Sequence, residues 1–155
     1  MKHTFTAMSL VAALLFGTAA AGSASTPAAY RAQLNGLCRS YTPKLKRLEA
    51  NMAGAQRAND PHAYGVYLGR SIALALEEDG RIERTPIPAA MRAQMTPIVR
   101  DLKLADSHAR LAIADALHGD AKAMLAELGK MAQLAPSLNR RLDRAGLRDC
   151  GSNQT

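Results

Sequence analysis

Large aromatic side chains are nearly absent from the sequence. Its 155 residues include no tryptophan, two phenylalanines and four tyrosines. Both phenylalanines, Phe5 and Phe16, lie close to the N-terminus. The core of a folded domain must therefore be built mainly from Leu, Ala, Ile, Met and Tyr. Such a core is typical of closely packed helices, because Ala lets two backbones approach while Leu fills the space between them.

Motifs that carry chemistry are also missing. Neither Cys38 nor Cys150 has a second cysteine nearby, which excludes the Cys-x-x-Cys-His site of c-type haem. The nearest match to the Glu-x-x-His repeat of di-metal bundles is a single Asp115-x-x-His118. No strand-turn-helix elbow exposes a serine nucleophile, since the predicted helices contain Ser40, Ser71, Ser107 and Ser137. We therefore predict no catalytic residue, no cofactor and no enzymatic activity.

The only long apolar run is at the N-terminus. A positive start at Lys2 is followed by an apolar stretch over 8–16 and by small residues up to Ala24. This order is typical of a secretory signal peptide, and we predict cleavage after Ala24. The alternative is a retained membrane anchor, which needs about 20 apolar residues, more than this run offers. We expect a signal peptide over 1–24, a single domain over 25–155 with no transmembrane segment, and a secreted or periplasmic, cell-envelope location.

Two cysteines in an exported chain of this size favour one disulfide over two buried thiols. We therefore predict a bond between Cys38 and Cys150. On the chain-entropy model, closing so long a loop contributes roughly 4–5 kcal/mol to stability.

Four helices are predicted from apolar residues that recur at spacings of three and four. Helix starts are indicated where a capping side chain precedes a proline, at Thr26-Pro27, Thr42-Pro43, Asp60-Pro61 and Thr96-Pro97. Two further starts are predicted at Pro88 and Asp120. The helices are expected over about 27–58, with a kink or broken turn near Thr42, and from 61, 88 and 120 onward. The last has a bend at Pro136 and a glycine C-cap at Gly146-Leu147.

Four such helices with short connections predict an all-α, up-down-up-down four-helix bundle. In this topology the start of helix 1 and the end of helix 4 lie at the same end of the bundle. Cys38 lies in the first third of helix 1, and Cys150 just follows helix 4. The predicted disulfide therefore joins helix 1 to the C-terminal tail.

A polar row on helix 3 is the weak candidate for a metal or partner site. Asp101, His108 and Asp115 follow one another at intervals of seven, and His118 lies one turn beyond Asp115. His108, Asp115 and His118 carry the atoms that a metal would need. The simpler interpretation is a solvated helix face, with His118 placed favourably at a helix C-terminus. We therefore predict no metal.

The chain is basic, with a formal net charge of +7. Four arginines form a row near the end of helix 4, a possible contact for a polyanion or protein partner: Arg140, Arg141, Arg144 and Arg148. Acidic residues predicted at the same end of helix 2 offer an alternative, neutralisation of the row by Glu77, Glu78, Asp79 and Glu83. Nucleic acid is not expected as a partner, because no aromatic residues are interleaved for base stacking.

Two cysteine-bearing segments carry a resemblance. The segments Tyr30-Arg31-Ala32-Gln33-Leu34-Asn35-Gly36-Leu37-Cys38 and Ala145-Gly146-Leu147-Arg148-Asp149-Cys150-Gly151 resemble the two signatures of a large group of exported actinobacterial helical proteins. Pro88-Ala89-Ala90-Met91-Arg92 and His118-Gly119-Asp120-Ala121 are similar to that group's helix openings. The resemblance covers most of the chain after Ala24. It implies an extracytoplasmic bundle with a Cys38–Cys150 bridge, and it carries no activity with it.

These observations predict an exported, non-enzymatic binding or structural module, a monomer or weak oligomer, whose partner is a protein or an envelope component. The alternative is a carrier that holds a small apolar ligand, haem or a metal between its helices. An apolar cavity of several hundred Å³ would favour the carrier, and a solid core would count against it.

Overall fold

The computed structural model describes residues 26–153, so the predicted signal peptide lies outside the described residues. Four α-helices follow one another: α1 (Pro27–Arg57), α2 (Pro61–Arg84), α3 (Arg92–Leu117) and α4 (Ala121–Arg144). Short 3-10 turns precede α3 (Ala89–Met91) and follow α4 (Arg148–Cys150). This part of the chain contains no strand, and the predicted all-α, up-down-up-down four-helix bundle is confirmed. Within residues 26–153, no helix has both the length and the hydropathy needed to cross a membrane.

Three of the predicted helix starts are capped by the expected side chains. Thr26 Oγ1 accepts a hydrogen bond from the Ala29 amide at 3.2 Å. Asp60 and Asp120 each accept one at 2.9 Å from the amide three residues ahead. These bonds satisfy amides that have no partner within the helix, so the positions of the caps set the first residues of α1, α2 and α4.

Two other Thr-Pro pairs are not helix starts, and that prediction was wrong. Pro43 lies inside α1 and Pro97 inside α3, and neither helix is broken there. The Thr42 hydroxyl donates to the Cys38 carbonyl at 3.0 Å, and that of Thr96 donates to the Arg92 carbonyl at 2.8 Å. Each threonine bonds back to a carbonyl four residues earlier, which a helical threonine can do and a capping one cannot.

The last turn of α4 ends as predicted. Gly146 has φ +81°, the left-handed conformation that favours glycine. Its amide donates to the Asp143 carbonyl, and the Leu147 amide donates to the Leu142 carbonyl at 2.9 Å, the paired bonds of a Schellman cap. Leu147 is fully buried, so the turn sends the chain back into the core.

The bundle consists of two helical hairpins. α1 packs along α2 and α3 packs along α4, whereas the α2–α3 contact between the hairpins is less extensive. The tail after α4 packs against both α1 and α4 and so joins the hairpins at one end. There the Cys38–Cys150 disulfide closes the chain across 112 positions, with the two Cα atoms 5.1 Å apart.

Polar bonds reinforce this closure. Arg31 Nε donates to the Ala145 carbonyl at 2.7 Å, and Asn35 Nδ2 donates to the Gly146 carbonyl at 2.9 Å. Arg39 forms an ion pair with Asp149 at 2.6 Å. We call this set of contacts, together with the disulfide, the clasp. It occupies one face of α1, because its α1 residues recur at intervals of three and four.

Large side chains are most completely buried at the clasp end. The fully or almost fully buried large side chains there are Tyr30, Leu34, Met91, Met95, Ile98 and Leu147. Towards the opposite end, predicted core positions are only partly buried: Leu48, Met52, Met124, Leu128 and Met131. The core therefore thins along the bundle, and the far end leaves space between the helices.

Removing the disulfide tests the contribution of the clasp. We expect Cys38→Ala with Cys150→Ala to lose roughly 4–5 kcal/mol of unfolding free energy, because the unfolded chain regains the entropy of a long open loop. Urea unfolding monitored by circular dichroism measures the change. An unchanged midpoint, or a wild-type mass that does not rise by two protons on reduction, would contradict the prediction.

Gly146→Ala tests the turn after α4, with Gly119→Ala as its matched control. Both glycines have positive φ, +81° and +75°, so each alanine costs about 1 kcal/mol in backbone strain. A Cβ at Gly119 meets no atom within 4 Å, whereas one at Gly146 lies 2.9 Å from Arg31 Cδ. We expect Gly146→Ala to lose about 1 kcal/mol more than the control in urea unfolding, because Arg31 must leave its carbonyl partner. Equal losses would show that the Arg31 contact contributes nothing.

Candidate functional site

An apolar groove of about 390 Å³ lies between α2, α3 and α4, towards the end away from the clasp. Most of its lining comes from α2 and α3, and α4 contributes Met124. The lining residues are Pro61, Tyr64, Gly65, Leu68, Gly69, Ile72, Ala112, Ile113, Ala116, Leu117 and Met124. The groove lies where the core becomes thin, so it follows from the distribution of large side chains along the bundle.

The groove has a buried floor and an exposed rim. Ile72 and Ala112 are buried, with 9% and 1% of their surface exposed. Tyr64 and Leu117 at the rim are 38% and 83% exposed. A ligand would thus enter past exposed apolar side chains and contact a buried apolar floor, the usual arrangement of a site for an apolar molecule.

Two glycines keep the α2 side of the groove open. Gly65 and Gly69 lie four residues apart, and a Cβ added to either would meet no atom within 4 Å. Neither glycine is therefore required for close helix packing or by a turn. Each costs the helix roughly 0.5–1 kcal/mol relative to alanine. At these two positions the groove has no side chain on its α2 side.

The chemistry of the groove is apolar. Its lining contains no carboxylate, imidazole, amine or thiol, and its one hydroxyl belongs to Tyr64. The volume lies within the range of about 300–1,000 Å³ that is usual for small-molecule sites. Such a lining can exclude water from an alkyl or ring system, but it offers no base or nucleophile.

The structure does not bring the weak metal candidates together. His108 Nδ1 lies 2.6 Å from Glu127 Oε2 on α4, and His118 Nδ1 lies 2.7 Å from the Ala114 carbonyl. Across residues 26–153, no three His, Cys, Asp or Glu side chains are grouped so as to hold a metal ion. His118 ends its helix as predicted, in contact with a carbonyl of the last turn. The pKa of Glu127 is lowered mainly by its hydrogen bond with Lys130, and to a smaller extent by the one with His108.

The solvated-face interpretation of the polar row was wrong for two of its members. Asp101 Oδ2 accepts a hydrogen bond from Arg141 of α4 at 2.8 Å, and His108 contacts Glu127. Both side chains are mostly buried, at 13% and 18% exposed. The row therefore faces α4 and links the two helices of the second hairpin. The sequence contains a signal for this, since Asp101 and His108 are one heptad apart and can form hydrogen bonds with polar residues on α4.

The arginine row is divided in the structure. Arg141 pairs with Asp101, whereas in residues 26–153 the side chains of Arg140, Arg144 and Arg148 show no hydrogen bond or ion pair. These three are exposed at the clasp end. They keep the predicted role of a polyanion or partner contact as a hypothesis.

Three of the acidic residues expected to neutralise the arginine row have other neighbours. Glu77 accepts hydrogen bonds from Tyr41 at 2.7 Å and from Arg81 at 3.0 Å. Glu83 lies 3.8 Å from Lys103, and Asp79 lines a cavity with Ile82, Leu102 and Leu138. The alternative of neutralisation by α2 therefore fails for these three residues. The acid that pairs with the row, Asp101, comes from α3.

Comparison with protein-family models, curated proteins and solved structures finds no match to this chain. The resemblance drawn from the two cysteine-bearing segments therefore stays a prediction. Function has to be inferred from the geometry of the groove.

Asp101→Asn tests the link between α3 and α4. We expect a loss of about 1 kcal/mol in unfolding free energy, because Arg141 loses its charged acceptor in a mostly buried position. Asp115→Asn is the matched control, a member of the same row whose side chain has no hydrogen bond within residues 26–153. It should change stability by less than about 0.5 kcal/mol. Equal effects in chemical denaturation would show that the ion pair is not stabilising.

Proposed function

We propose that the protein is an exported, non-enzymatic binding module that carries a small apolar molecule in the groove between α2, α3 and α4. The observation that carries this proposal is the pair of open glycines, Gly65 and Gly69, above an otherwise apolar floor. A larger residue at either position would stabilise the helix. Each glycine therefore lowers the stability of the fold, and no packing contact requires it.

The size of the groove favours an alkyl chain or a compact ring system. Each buried methylene contributes roughly 0.8 kcal/mol, so six or seven of them provide about 5 kcal/mol before the entropy cost of binding. The expected dissociation constant is in the micromolar to millimolar range. This is the affinity of a carrier that must also release its ligand.

The other ligand classes have less support from the lining. A metal would need carboxylate, imidazole or thiolate ligands, and the groove has none. Haem needs axial ligands, and Tyr64 and Met124 are the lining side chains with atoms that bind iron. An enzyme would need a base or nucleophile beside the bound molecule.

The proposed location is supported by the N-terminal apolar run and by the disulfide. The N-terminal run predicts export, and the disulfide is a bond that persists in oxidising compartments. The clasp then holds a small, aromatic-poor domain together outside the cytoplasm.

Gly69→Leu tests the groove directly. Gly69 lines the groove, so we expect a leucine side chain there to occupy part of it and to weaken binding of a neutral fluorescent probe, N-phenylnaphthylamine, by about tenfold or more. Fluorescence titration measures the affinity. Native mass spectrometry of protein purified from its own host's envelope then identifies a bound molecule, and titration with haemin tests the haem alternative.

Gly129→Leu is the matched control. Gly129 lies on exposed α4 surface outside the groove lining, and a Cβ there also meets no atom within 4 Å. Both variants should fold at least as well as the wild type, because leucine is the better helix former by roughly 0.5–1 kcal/mol. The proposal is overturned if the wild type does not bind the probe, or if the two variants bind it equally.

A further inference from the structure

A second cleft lies at the clasp end of the bundle, where the start of α3 meets the end of α4. Its volume is about 310 Å³, and its lining consists of Gln94, Pro97, Arg141, Arg144 and Ala145. These are two positively charged side chains, one amide and two apolar residues, and none of them carries a negative charge. The groove has no charged lining residue, so the two sites suit ligands of different chemistry.

Arg141 is held in place at this cleft. Its Nη1 atom donates to Asp101 Oδ2 at 2.8 Å, and its side chain is 35% exposed. That bond uses one of the five N–H groups of the guanidinium. Asp101 also lies 3.4 Å from Arg100, so two positive charges share one carboxylate and the cluster keeps a net positive charge. Arg141 therefore has a fixed position and further donors for a ligand.

Arg144 has no such partner. Its side chain is exposed and forms no hydrogen bond or ion pair within residues 26–153. An arginine in the last turn of a helix is usually explained by the carbonyls there, which attract positive charge. In α4, the Leu142 and Asp143 carbonyls accept from backbone amides of the following turn. The Ala145 carbonyl accepts from Arg31. These carbonyls therefore do not need the Arg144 side chain as a donor.

Acidic residues near the cleft in sequence have other partners. Asp149 forms its ion pair with Arg39 at 2.6 Å, and Asp143 Oδ1 accepts from the Ser152 amide at 3.2 Å. In the part of the chain that the structure describes, no carboxylate lies within ion-pair distance of Arg144. The positive charge of this side chain is therefore uncompensated, and an anion in the cleft would provide the acceptor.

We infer that this cleft binds the phosphate group of a phosphorylated molecule, with Arg141 and Arg144 as its charged ligands and Gln94 as a further donor. Guanidinium groups bind phosphate through two parallel hydrogen bonds, which favours arginine over lysine at such sites. A phosphate monoester carries a charge of about −1.5 to −2 at neutral pH, which two arginines match. The organic part of the ligand then contacts Pro97 and Ala145.

A carboxylate matches this cleft less well than a phosphate. It has one negative charge and two oxygens, so a single guanidinium satisfies it. The three terminal oxygens of a phosphate monoester can accept from both arginines and from the Gln94 amide. The phosphate belongs either to a free small molecule or to a lipid head group, and both have the same recognition chemistry. The inference does not rest on the proposed function, because the cleft shares no lining residue with the groove.

Arg144→Gln tests the cleft, with Arg148→Gln as its matched control. Each change removes one positive charge from an exposed arginine of the same row, but Arg148 does not line the cleft. We expect Arg144→Gln to weaken the binding of phenyl phosphate about tenfold, because a charge-assisted hydrogen bond is lost. Arg148→Gln should change the dissociation constant by less than about twofold, because solvent and salt screen a charge that does not contact the ligand. Isothermal titration calorimetry at low ionic strength measures both constants.

Three further measurements define the ligand. Arg144→Lys keeps the charge but not the planar fork, so it should recover only part of the lost affinity. Benzoate, a carboxylate on the same ring, should bind at least about fivefold more weakly than phenyl phosphate. Sedimentation with vesicles of phosphatidic acid in phosphatidylcholine, compared with phosphatidylcholine alone, tests the lipid source. Vesicle binding that Arg144→Gln abolishes and Arg148→Gln does not would assign the cleft to a lipid head group. Binding of phenyl phosphate without binding to these vesicles would assign it to a free phosphorylated molecule.

The inference fails if the wild type does not bind phenyl phosphate, if the two glutamine variants bind it equally, or if benzoate binds as tightly. Should Arg144→Gln not fold, Gln94→Ala at an exposed position of α3 replaces it and should weaken binding about threefold, because a neutral donor is lost. An unchanged affinity in that variant also overturns the inference. Binding of N-phenylnaphthylamine should be the same in Arg144→Gln and the wild type, so failure of the cleft and failure of the groove are distinguishable.

Discussion

The Cys38–Cys150 bond and the polar contacts around it hold the tail between the two hairpins, and the packing of the bundle depends on that position. α1 contacts the second hairpin largely through this tail. Since the domain has no Trp or Phe in its described residues, its largest buried side chains are Tyr30 and Tyr41 on α1. The tail adds Leu147 and Cys150 to that core. A small aromatic-poor domain thus obtains a dense core by folding its last residues back onto its first helix.

The helices were predictable because their signals are local. The aspartates at 60 and 120 and the glycine at 146 each fix a helix end through bonds to neighbours within five residues. A Thr-Pro pair is ambiguous by the same logic. Its threonine caps a helix when the preceding residues are extended, and bonds back to a carbonyl when they are helical. At Thr42 and Thr96 the preceding residues are helical because their apolar side chains pack in the core, which is a tertiary effect.

The groove could not be predicted because it is defined by what neighbouring helices leave empty. In the sequence, Gly65 and Gly69 appear only as weak helix formers. Their role becomes apparent only from the folded structure, in which α3 and α4 bring small or flexible side chains, such as Ala112 and Met124, to the same level of the bundle. The partners of Asp101 and His108 were hidden for a related reason. The heptad spacing places them on one stripe, but only the packing shows that α4 covers it.

The position of the disulfide has a consequence for resistance to proteolysis. All three turns that connect the helices lie between Cys38 and Cys150 in the sequence. A protease that cuts one exposed turn, such as the one at Asn59, would sever the backbone yet leave both fragments covalently joined through sulfur. The hairpins would remain neighbours, and their association would stay intramolecular and independent of dilution. A single cut would then break the backbone without separating the two fragments.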